Sequence, residues 1–333
     1  MSDHNNQRAR AGRPRRLRRG ELLRDVVADV RVTPDDLILP LFVGDMDSPK
    51  PVASMPTVSQ LPVAEALGTI RQLSQRGLKQ FILFGVTPAA KKNAAGSYAC
   101  CPDAPVNRLL AAVADAGLDV LMYADLCFCE YTDHGHCGVL IDREDPWVVD
   151  NDRTLDLLGQ TAVAQAKAGA AVVAPSGMMD GQVAAIRAAL DAASYEHVAI
   201  LSYSVKYASN LYGPFRDAGE GAMQFGDRRG YQMDCRRSRE WRIELEADLA
   251  EGADMVMVKP AATYLDVIYQ VRQACSVPVA AYHVSGEFAM LHAAADKGYM
   301  DLKAAAIETT CAIKRAGADL ILTYFAPQLL DWL

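Results

Sequence analysis

The chain has 333 residues, of which 51% are hydrophobic and 23% are charged, and its formal net charge is −7. This length allows one large domain or two ordinary ones, and the composition is ordinary for a globular enzyme. No apolar run approaches the roughly 20 residues of a membrane span, the N-terminus lacks a signal-peptide core, and the acidic charge argues against general nucleic-acid binding. Eight cysteines without a secretion signal predict a reducing, cytoplasmic location.

Residues 1–34 are predicted to form a basic arm with a leading helix, ahead of a catalytic domain over 35–333. The arm carries Arg8, Arg10, Arg13, Arg15, Arg16, Arg18 and Arg19. A nucleic-acid-binding arm and an organelle transit peptide are the alternatives. A basic segment that packs on an acidic neighbouring subunit fits the acidic remainder of the chain better.

Eight short apolar runs have the composition of strands buried on both faces, since each is continuous and rich in Val, Ile, Leu or Met. They cover residues 37–43, 80–86, 119–126, 170–175, 198–205, 255–259, 277–284 and 320–325. The segments of helical period between them cover residues 63–76, 107–116, 154–168, 181–193, 238–251, 264–274 and 301–316. Eight alternating units predict an α/β fold, the (β/α)8 TIM barrel. A doubly wound open sheet is the alternative, but no G-x-G-x-x-G motif opens the first unit.

Three cysteines follow the third predicted strand, at Cys127, Cys129 and Cys137. This spacing supplies three thiolates to one cation. Structural zinc normally has four protein ligands, whereas catalytic zinc has three and keeps one position open. The pattern therefore favours a catalytic zinc. A disulfide, or a closed site completed by His134 or His136, is the alternative.

Reactive side chains crowd the C-terminal strand ends, where a TIM barrel carries its chemistry. They are Asp125, Ser176, Ser204, Lys206, Lys259, His283, Ser285, Thr323 and Tyr324. Lys206 and Lys259 end successive strands, where poor solvation and a second cation lower a lysine pKa. A neutral amine can form a Schiff base with a carbonyl. The alternative is that each lysine forms a structural salt bridge.

A long loop at about residues 207–237 follows Lys206 and is rich in glycine and arginine. Its arginines and the first one beyond it are Arg216, Arg228, Arg229, Arg236, Arg237 and Arg239. Long ordered loops are often active-site lids, and Arg side chains bind carboxylates bidentately. The loop predicts a lid that closes on an acidic small molecule, with a solvated surface loop as the alternative.

At these motifs the chain resembles the porphobilinogen synthase family, also called the δ-aminolevulinic acid dehydratases, from about residue 13 to the C-terminus. The segments that carry the resemblance are residues 13–18, 127–138, 174–176, 202–206, 212–217, 225–229, 257–260, 282–288, 323–324 and 327–330. The resemblance implies an asymmetric condensation of two 5-aminolevulinate molecules to porphobilinogen, with loss of two waters, in haem and tetrapyrrole synthesis.

The resemblance also implies roles for individual residues. Lys259 would bind the first substrate, on the propionate side of the product, and Lys206 the second, on the acetate side, beside zinc on the three cysteines. The implied substrate contacts are Arg216 and Arg228 for the second carboxylate, Ser285 and Tyr324 for the first, Asp125 and Ser176 near the Schiff bases, and Phe215 and Gln232.

Further expectations from the resemblance concern regulation and assembly. Glu244 matches a ligand of an allosteric magnesium in many bacterial members, and the family forms homo-octamers of arm-embracing dimers. Gly177 stands where an Asp is usual, which weakens the expectation of the family's regulatory subunit contacts. Gly230 stands where some members carry another zinc-binding Cys, so no second zinc is expected there.

Two other functions remain as alternatives. A Schiff-base class I aldolase on a TIM barrel would need one essential lysine and no thiolate zinc. A non-catalytic zinc-stabilised scaffold would unfold when zinc is lost, whereas a barrel with catalytic zinc would stay folded.

Overall fold

Parallel strands buried on both faces form the centre of the computed structural model, which describes residues 12–141 and 149–333. The strands are β1 Leu37–Gly44, β2 Lys50–Pro51, β3 Ser59–Pro62, β4 Gln80–Val86, β5 Leu121–Leu126, β6 Val172–Pro175, β7 Ala199–Lys206, β8 Met255–Lys259, β9 Val279–His283 and β10 Leu320–Thr323. All except β2 and β3 pair in parallel in chain order, and β10 closes on β1 through Leu37 and Ile321. The predicted TIM barrel is confirmed.

Helices surround this barrel and cover its outer face. They are α1 Glu21–Val26, α2 Val63–Gln75, α3 Pro105–Asp115, α4 Asn151–Ala168, α5 Gln182–Ala192, α6 Gly213–Ala218, α7 Glu240–Glu251, α8 Leu265–Ala274, α9 Ser285–Asp296, α10 Leu302–Ala316 and α11 Ala326–Trp332. Gly169 and Gly252 end α4 and α7 with φ of 111° and 103°, a conformation that glycine adopts without a Cβ clash. Asp301 begins α10 by accepting a hydrogen bond from the amide of Ala304.

Several features of the fold lie outside the predicted elements, among them helix α6, which lies within the predicted loop. Strands β2 and β3 form a small antiparallel hairpin, and β3 also pairs in parallel with β1 through Phe42 and Gln60. Helix α9 begins directly after β9, and α11 ends the chain. The last predicted strand is two residues too long, because Tyr324 and Phe325 turn into α11.

The N-terminal segment is exposed along its described part. A 3-10 helix over Pro14–Arg18 precedes α1, and neither contains a buried residue. Arg8 and Arg10 lie outside the described residues. Among the residues that are described, no helix combines the length and the apolarity that crossing a bilayer requires.

Candidate active site at the C-terminal rim of the barrel

The barrel places Lys206 and Lys259 side by side at the ends of β7 and β8. They are register partners in the strand ladder, and their exposures are only 4% and 5%. The Lys206 Nζ donates a hydrogen bond to the carbonyl oxygen of Ser176. The Lys259 Nζ lies 4.2 Å from the ring centre of Tyr282. Burial, with the charge of Lys206 as the next cause, lowers the pKa of Lys259 to about 7.

Asp125, at the end of β5, lies beside both amines. It accepts a hydrogen bond from the Ser176 hydroxyl at 3.2 Å. Burial raises the pKa of this carboxyl to about 6, although the charges of Lys259 and Lys206 oppose that rise. At neutral pH the carboxylate can therefore accept a proton within the site and return it.

The three predicted cysteines converge beside this group. Their sulfur atoms all lie within 4.8 Å of one another, and all three side chains are buried. Hydrogen bonds from Cys127 and Cys129 hold the pKa of the Cys137 thiol well below its usual range, and the charges of Arg228 and Lys206 add to this effect. Thiolates in a set of three fit a zinc ion with one open position.

The alternatives of a disulfide and of a fourth histidine ligand do not fit this geometry. All eight cysteines are free. The two ring nitrogens of His136 lie 3.1 Å from the Tyr231 hydroxyl and 3.0 Å from the Phe225 carbonyl oxygen. Those of His134 contact the Ala94 carbonyl and the His136 amide. Both rings are thus engaged away from the sulfurs.

The long loop lies over the same cavity and brings two arginines to it. Nη2 of Arg228 donates to the carbonyl oxygens of Gly135 and Gly221, at 3.0 and 3.1 Å. The Nε atoms of Arg216 and Arg228 are buried and have no hydrogen-bond partner among the described residues. Unpaired guanidinium donors inside a cavity suit an anionic ligand, because leaving them unpaired is costly.

One small cavity joins these groups. It is lined by Phe84, Asp125, Cys127, Cys129, Glu130, Ser176, Lys206, Tyr212, Phe215, Arg216, Arg228 and Lys259. Its free volume is about 20 Å³, enough for about one water molecule. The loop and the strand ends therefore close on one another around Lys206 and Lys259, and a larger ligand needs this lining to move apart. A cavity of about 590 Å³ lies on the other side of Arg216 and Arg228, which line both spaces.

Ser285, Tyr324 and Gln232 lie around this cavity rather than on its wall. The Ser285 hydroxyl accepts a hydrogen bond from the Phe215 amide at 2.9 Å, and the Tyr324 hydroxyl lies 2.9 Å from that of Tyr282. Gln232 is buried, and its side-chain amide has no partner among the described residues. Each residue is close enough for a modest rearrangement to bring it to a ligand.

Glu244 is not part of this group. It lies on α7 and lines a separate cavity of about 220 Å³ with Asp180 and Glu240. Burial, followed by the charges of nearby carboxylates, raises the pKa of Glu244 to about 7. In the described ranges these carboxylates converge less closely than the three cysteines.

Sequence reasoning missed the aromatic floor beneath the lysines and one buried carboxyl. The Lys259 Nζ lies 5.1 Å from the ring centre of Tyr203, and the Lys206 Nζ lies 5.5 Å from the same ring. Glu130 is buried and accepts a hydrogen bond from the Gly85 amide at 2.8 Å. Regular strand alternation would place Tyr203 on the face opposite Lys206, and the register shift between Ser202 and Val205 interrupts that alternation. Neither Tyr203 nor Glu130 therefore had a signal in the sequence.

Comparison with known proteins agrees with this geometry. Residues 11–332 match the sequence model of a family described as Delta-aminolevulinic acid dehydratase. The chain is 49% identical to the Delta-aminolevulinic acid dehydratase of Synechocystis sp. over 322 residues, which cover 96% of this chain and 98% of that one. It is 46% identical to the protein of the same name from Archaeoglobus fulgidus, with 96% and 97% covered.

A solved structure shows the same similarity in three dimensions. It is the Toxoplasma gondii ME49 delta-aminolevulinic acid dehydratase (porphobilinogen synthase) in complex with its reaction product porphobilinogen. That structure has a TM-score of 0.94 and 42% sequence identity, and covers 97% of this chain and 91% of that one.

Proposed function

This chain belongs to the delta-aminolevulinic acid dehydratase family, and from that membership we propose that it condenses two 5-aminolevulinate molecules asymmetrically to porphobilinogen, with loss of two waters, through two Schiff-base lysines and an active-site zinc. The observation that carries the proposal is the pairing of Lys206 with Lys259 in one closed cavity beside three thiols. In this role the enzyme acts early in haem and tetrapyrrole synthesis.

Lys259 binds the first substrate, which becomes the propionate side of the product. Its pKa of about 7 leaves a large share of neutral amine at neutral pH. That amine attacks the substrate ketone, and expulsion of one water gives the Schiff base. Lys206 binds the second substrate on the acetate side. Asp125 and Ser176 exchange protons with the forming and breaking bonds, which their hydrogen bond and position between the amines support.

Separate groups hold the two carboxylates. Arg216 and Arg228 hold that of the second substrate through their unpaired Nε donors. Ser285 and Tyr324 hold that of the first, after giving up their present partners Phe215 N and Tyr282 OH. Phe215 packs against the first substrate, and the Gln232 amide supplies hydrogen bonds to the second.

Cys127, Cys129 and Cys137 hold the zinc ion in this proposal. Three buried thiols whose sulfur atoms lie within 4.8 Å of one another fit the ligand set of a catalytic zinc. When bound, zinc supplies Lewis acidity beside the second substrate. The protein positions the second amine and carboxylate so that this acidity acts on the correct molecule.

Glu244 is proposed as a ligand of an allosteric magnesium. Magnesium keeps several waters and often takes only one or two carboxylates from the protein. The raised pKa of Glu244 reflects burial and nearby negative charge, which a cation would relieve. The buried Oε2 of Glu240, which has no hydrogen-bond partner within residues 12–141 and 149–333, is a second candidate ligand in the same cavity.

The proposed assembly is a homo-octamer built from arm-embracing dimers, in the cytoplasm. Exposed apolar side chains on the arm support an intersubunit contact, since Leu22 is 78% exposed and Val26 69%. The basic 3-10 helix before them suits an acidic neighbouring copy. Eight free cysteines support a reducing compartment.

The direct test is to incubate the purified protein with 5-aminolevulinate and assay porphobilinogen with Ehrlich's reagent. Product should form, and 1,10-phenanthroline should stop it. A class I aldolase would continue to act in the chelator and would yield no Ehrlich-positive product. Absence of colour with zinc-loaded protein would contradict the proposed function.

A further inference from the structure

In the first half of the loop, Glu220 joins the loop to the barrel through both its side chain and its main chain. Its Oε1 accepts hydrogen bonds from the Lys50 Nζ at 3.0 Å and from the Gln60 Nε2 at 3.3 Å. Its main-chain oxygen accepts from the Lys92 Nζ at 2.6 Å. The Gln60 Nε2 also donates to the Ala218 carbonyl at 2.8 Å. Three donors from two segments outside the loop thus converge on Ala218 and Glu220.

The three donors are themselves fixed to the barrel. Lys50 and Gln60 lie on the β2–β3 hairpin, and Gln60 pairs in register with Phe42 of the barrel strand β1. Gln60 is also buried, with 3% exposure. Lys92 follows a 3-10 helix just beyond β4. The β2–β3 hairpin therefore anchors the loop to the barrel.

Backbone geometry at Glu220 points the same way. Its φ is +49°, in the left-handed region that residues other than glycine seldom adopt. A residue held there needs compensating contacts, which the side-chain and main-chain bonds to Lys50, Gln60 and Lys92 provide. The next residue, Gly221, has little room for a side chain, because a Cβ would lie 3.2 Å from the Cys129 carbonyl oxygen.

The segment fixed by Glu220 is also the one on which Arg228 rests. The Gly221 carbonyl, one residue on, accepts a hydrogen bond from Arg228 Nη2. Arg216 lies four residues before Glu220 on α6. Movement of residues 218–221 away from the barrel would therefore withdraw the support beneath Arg228.

We propose that Glu220 is a positioning residue: with Lys50, Gln60 and Lys92 it forms a latch that holds the loop closed and keeps Arg228 over the cavity. This inference rests on the proposed function only where it concerns the second substrate. Closure of the loop by the latch is a property of the free protein, and it can be measured without any substrate.

Trypsin cleavage after the buried Arg228 of the purified holoenzyme, identified by intact-mass spectrometry, reports opening of the loop. Glu220→Gln removes the negative charge. It keeps the backbone strain at this position, because glutamine also has a Cβ and must adopt the same left-handed conformation. Cleavage should become roughly two- to fivefold faster, the range expected for loss of an exposed ion pair. Glu220→Ala should raise it further, because the bond from Gln60 is lost as well.

Glu246→Gln is the matched control. It makes the same chemical change and the same change in net charge, and it also breaks one exposed ion pair, with Arg242 at 2.7 Å, but on α7 away from the loop. Its cleavage rate should equal that of the wild type.

A double-mutant cycle tests the ion pair directly. Lys50→Met should be cleaved as fast as Glu220→Gln, and the double variant should be cleaved no faster than either, since both changes remove the same interaction.

The positioning role has its own measurement. Glu220→Ala should raise KM for 5-aminolevulinate at least twofold, while borohydride trapping of the first substrate on Lys259 stays at the wild-type level. Cleavage rates of both Glu220 variants equal to that of Glu246→Gln would overturn the latch. Faster cleavage with unchanged KM would overturn the positioning role. Failure of the wild type to form porphobilinogen would contradict the proposed function and leave the cleavage result standing.

Discussion

Lys259 is subject to opposing effects that can be compared in size. Four aromatic rings lie within 5.1 Å of its Nζ and favour the ammonium form, each by about 0.5–2 kcal/mol. Burial and the charge of Lys206 favour the neutral amine. Against the charges of Asp125 and of the nearby cysteines, these two effects give a pKa of about 7 in place of the ordinary 10.5, or roughly 5 kcal/mol in favour of the neutral form. Desolvation and like charge together outweigh those opposing charges.

Lys259→Met should lose essentially all product formation, because the first Schiff base cannot form. In the wild type, borohydride added with substrate should trap an adduct on Lys259, read by peptide mass mapping. Adducts found only on other lysines would contradict the assignment. Lys79→Met is a suitable control, since Lys79 lies far from the rim in an exposed pair with Asp119.

The pH dependence of trapping should follow the lowered pKa of Lys259. A depressed lysine pKa means that the reactive neutral amine is scarce below about pH 7 and plentiful above it. The initial trapping rate should therefore rise through pH 7 and level off. In Lys206→Met the midpoint should move to higher pH, because one cause of the depression is gone. An unchanged midpoint would show that Lys206 does not act on Lys259.

Some helices and strands were predicted from the sequence and others were not. The difference depends on how much of each element is buried and on which residues form its buried face. The barrel strands are buried on both sides, as in β4, where all seven residues are buried, so their apolar runs were visible. The β2–β3 hairpin is largely exposed or half-buried and left no such run. Helix α9 was missed because its buried face begins with Ser285, Gly286 and Glu287 rather than with apolar residues.

The site follows the same logic. Strand ends predicted which side chains share the rim, because parallel strands end at one edge of the barrel. Contacts between distant loops carry no local pattern. The bond from Gln60 to Ala218 spans 158 positions, and neither residue type suggests it.

Zinc removal tests whether the loop with Cys127, Cys129 and Cys137 holds a catalytic metal or a structural one. EDTA or 1,10-phenanthroline should abolish activity and zinc should restore it, with little change in far-UV circular dichroism, because the barrel core does not depend on the metal. Thiolates must be deprotonated to bind, so zinc affinity should fall as pH drops. Full activity with less than about a tenth of an equivalent of zinc per subunit would contradict this prediction. Unfolding on zinc loss would favour a scaffold role.

The closed loop gives the fourth prediction. Arg216→Ala or Arg228→Ala should weaken binding of the second substrate by roughly ten- to a hundredfold, since a charge-assisted hydrogen bond contributes about 1.5–3 kcal/mol. Borohydride should still trap one substrate on Lys259, because that site does not use these arginines. Arg236→Ala is the control, as the exposed Arg236 side chain forms an ion pair with Asp234. Near-normal turnover at low substrate in both variants would show that the loop is only a solvated surface.

At the scale of the whole molecule, the closed barrel contrasts with an arm that contacts little of its own chain. Strand β10 pairs with β1, so no edge of the barrel remains open. The apolar residues of α1 have no such cover and are exposed. A surface of this kind is typical of a contact with another copy.

Deletion of residues 1–27 should therefore reduce the number of subunits in the assembly, as calculated from the molar mass in size exclusion with light scattering. The far-UV spectrum of the barrel should stay intact. Ile243→Ser is the control, since Ile243 is 64% exposed on the barrel rather than on the arm. An unchanged number of subunits after the deletion would exclude the arm as the source of assembly.

The ladder that joins Lys206 to Lys259 also bears on reaction entropy. Registered residues on neighbouring parallel strands lie about 4.8 Å apart, and the hydrogen bond from the Tyr207 amide to the Lys259 carbonyl maintains that spacing beside the lysines. Two identical small molecules tethered there would meet at a separation and orientation fixed when the chain folded. A bimolecular encounter becomes intramolecular, with the effective concentrations of many molar that such tethering confers. The stiffness of the barrel is, on this view, a kinetic property as much as a structural one.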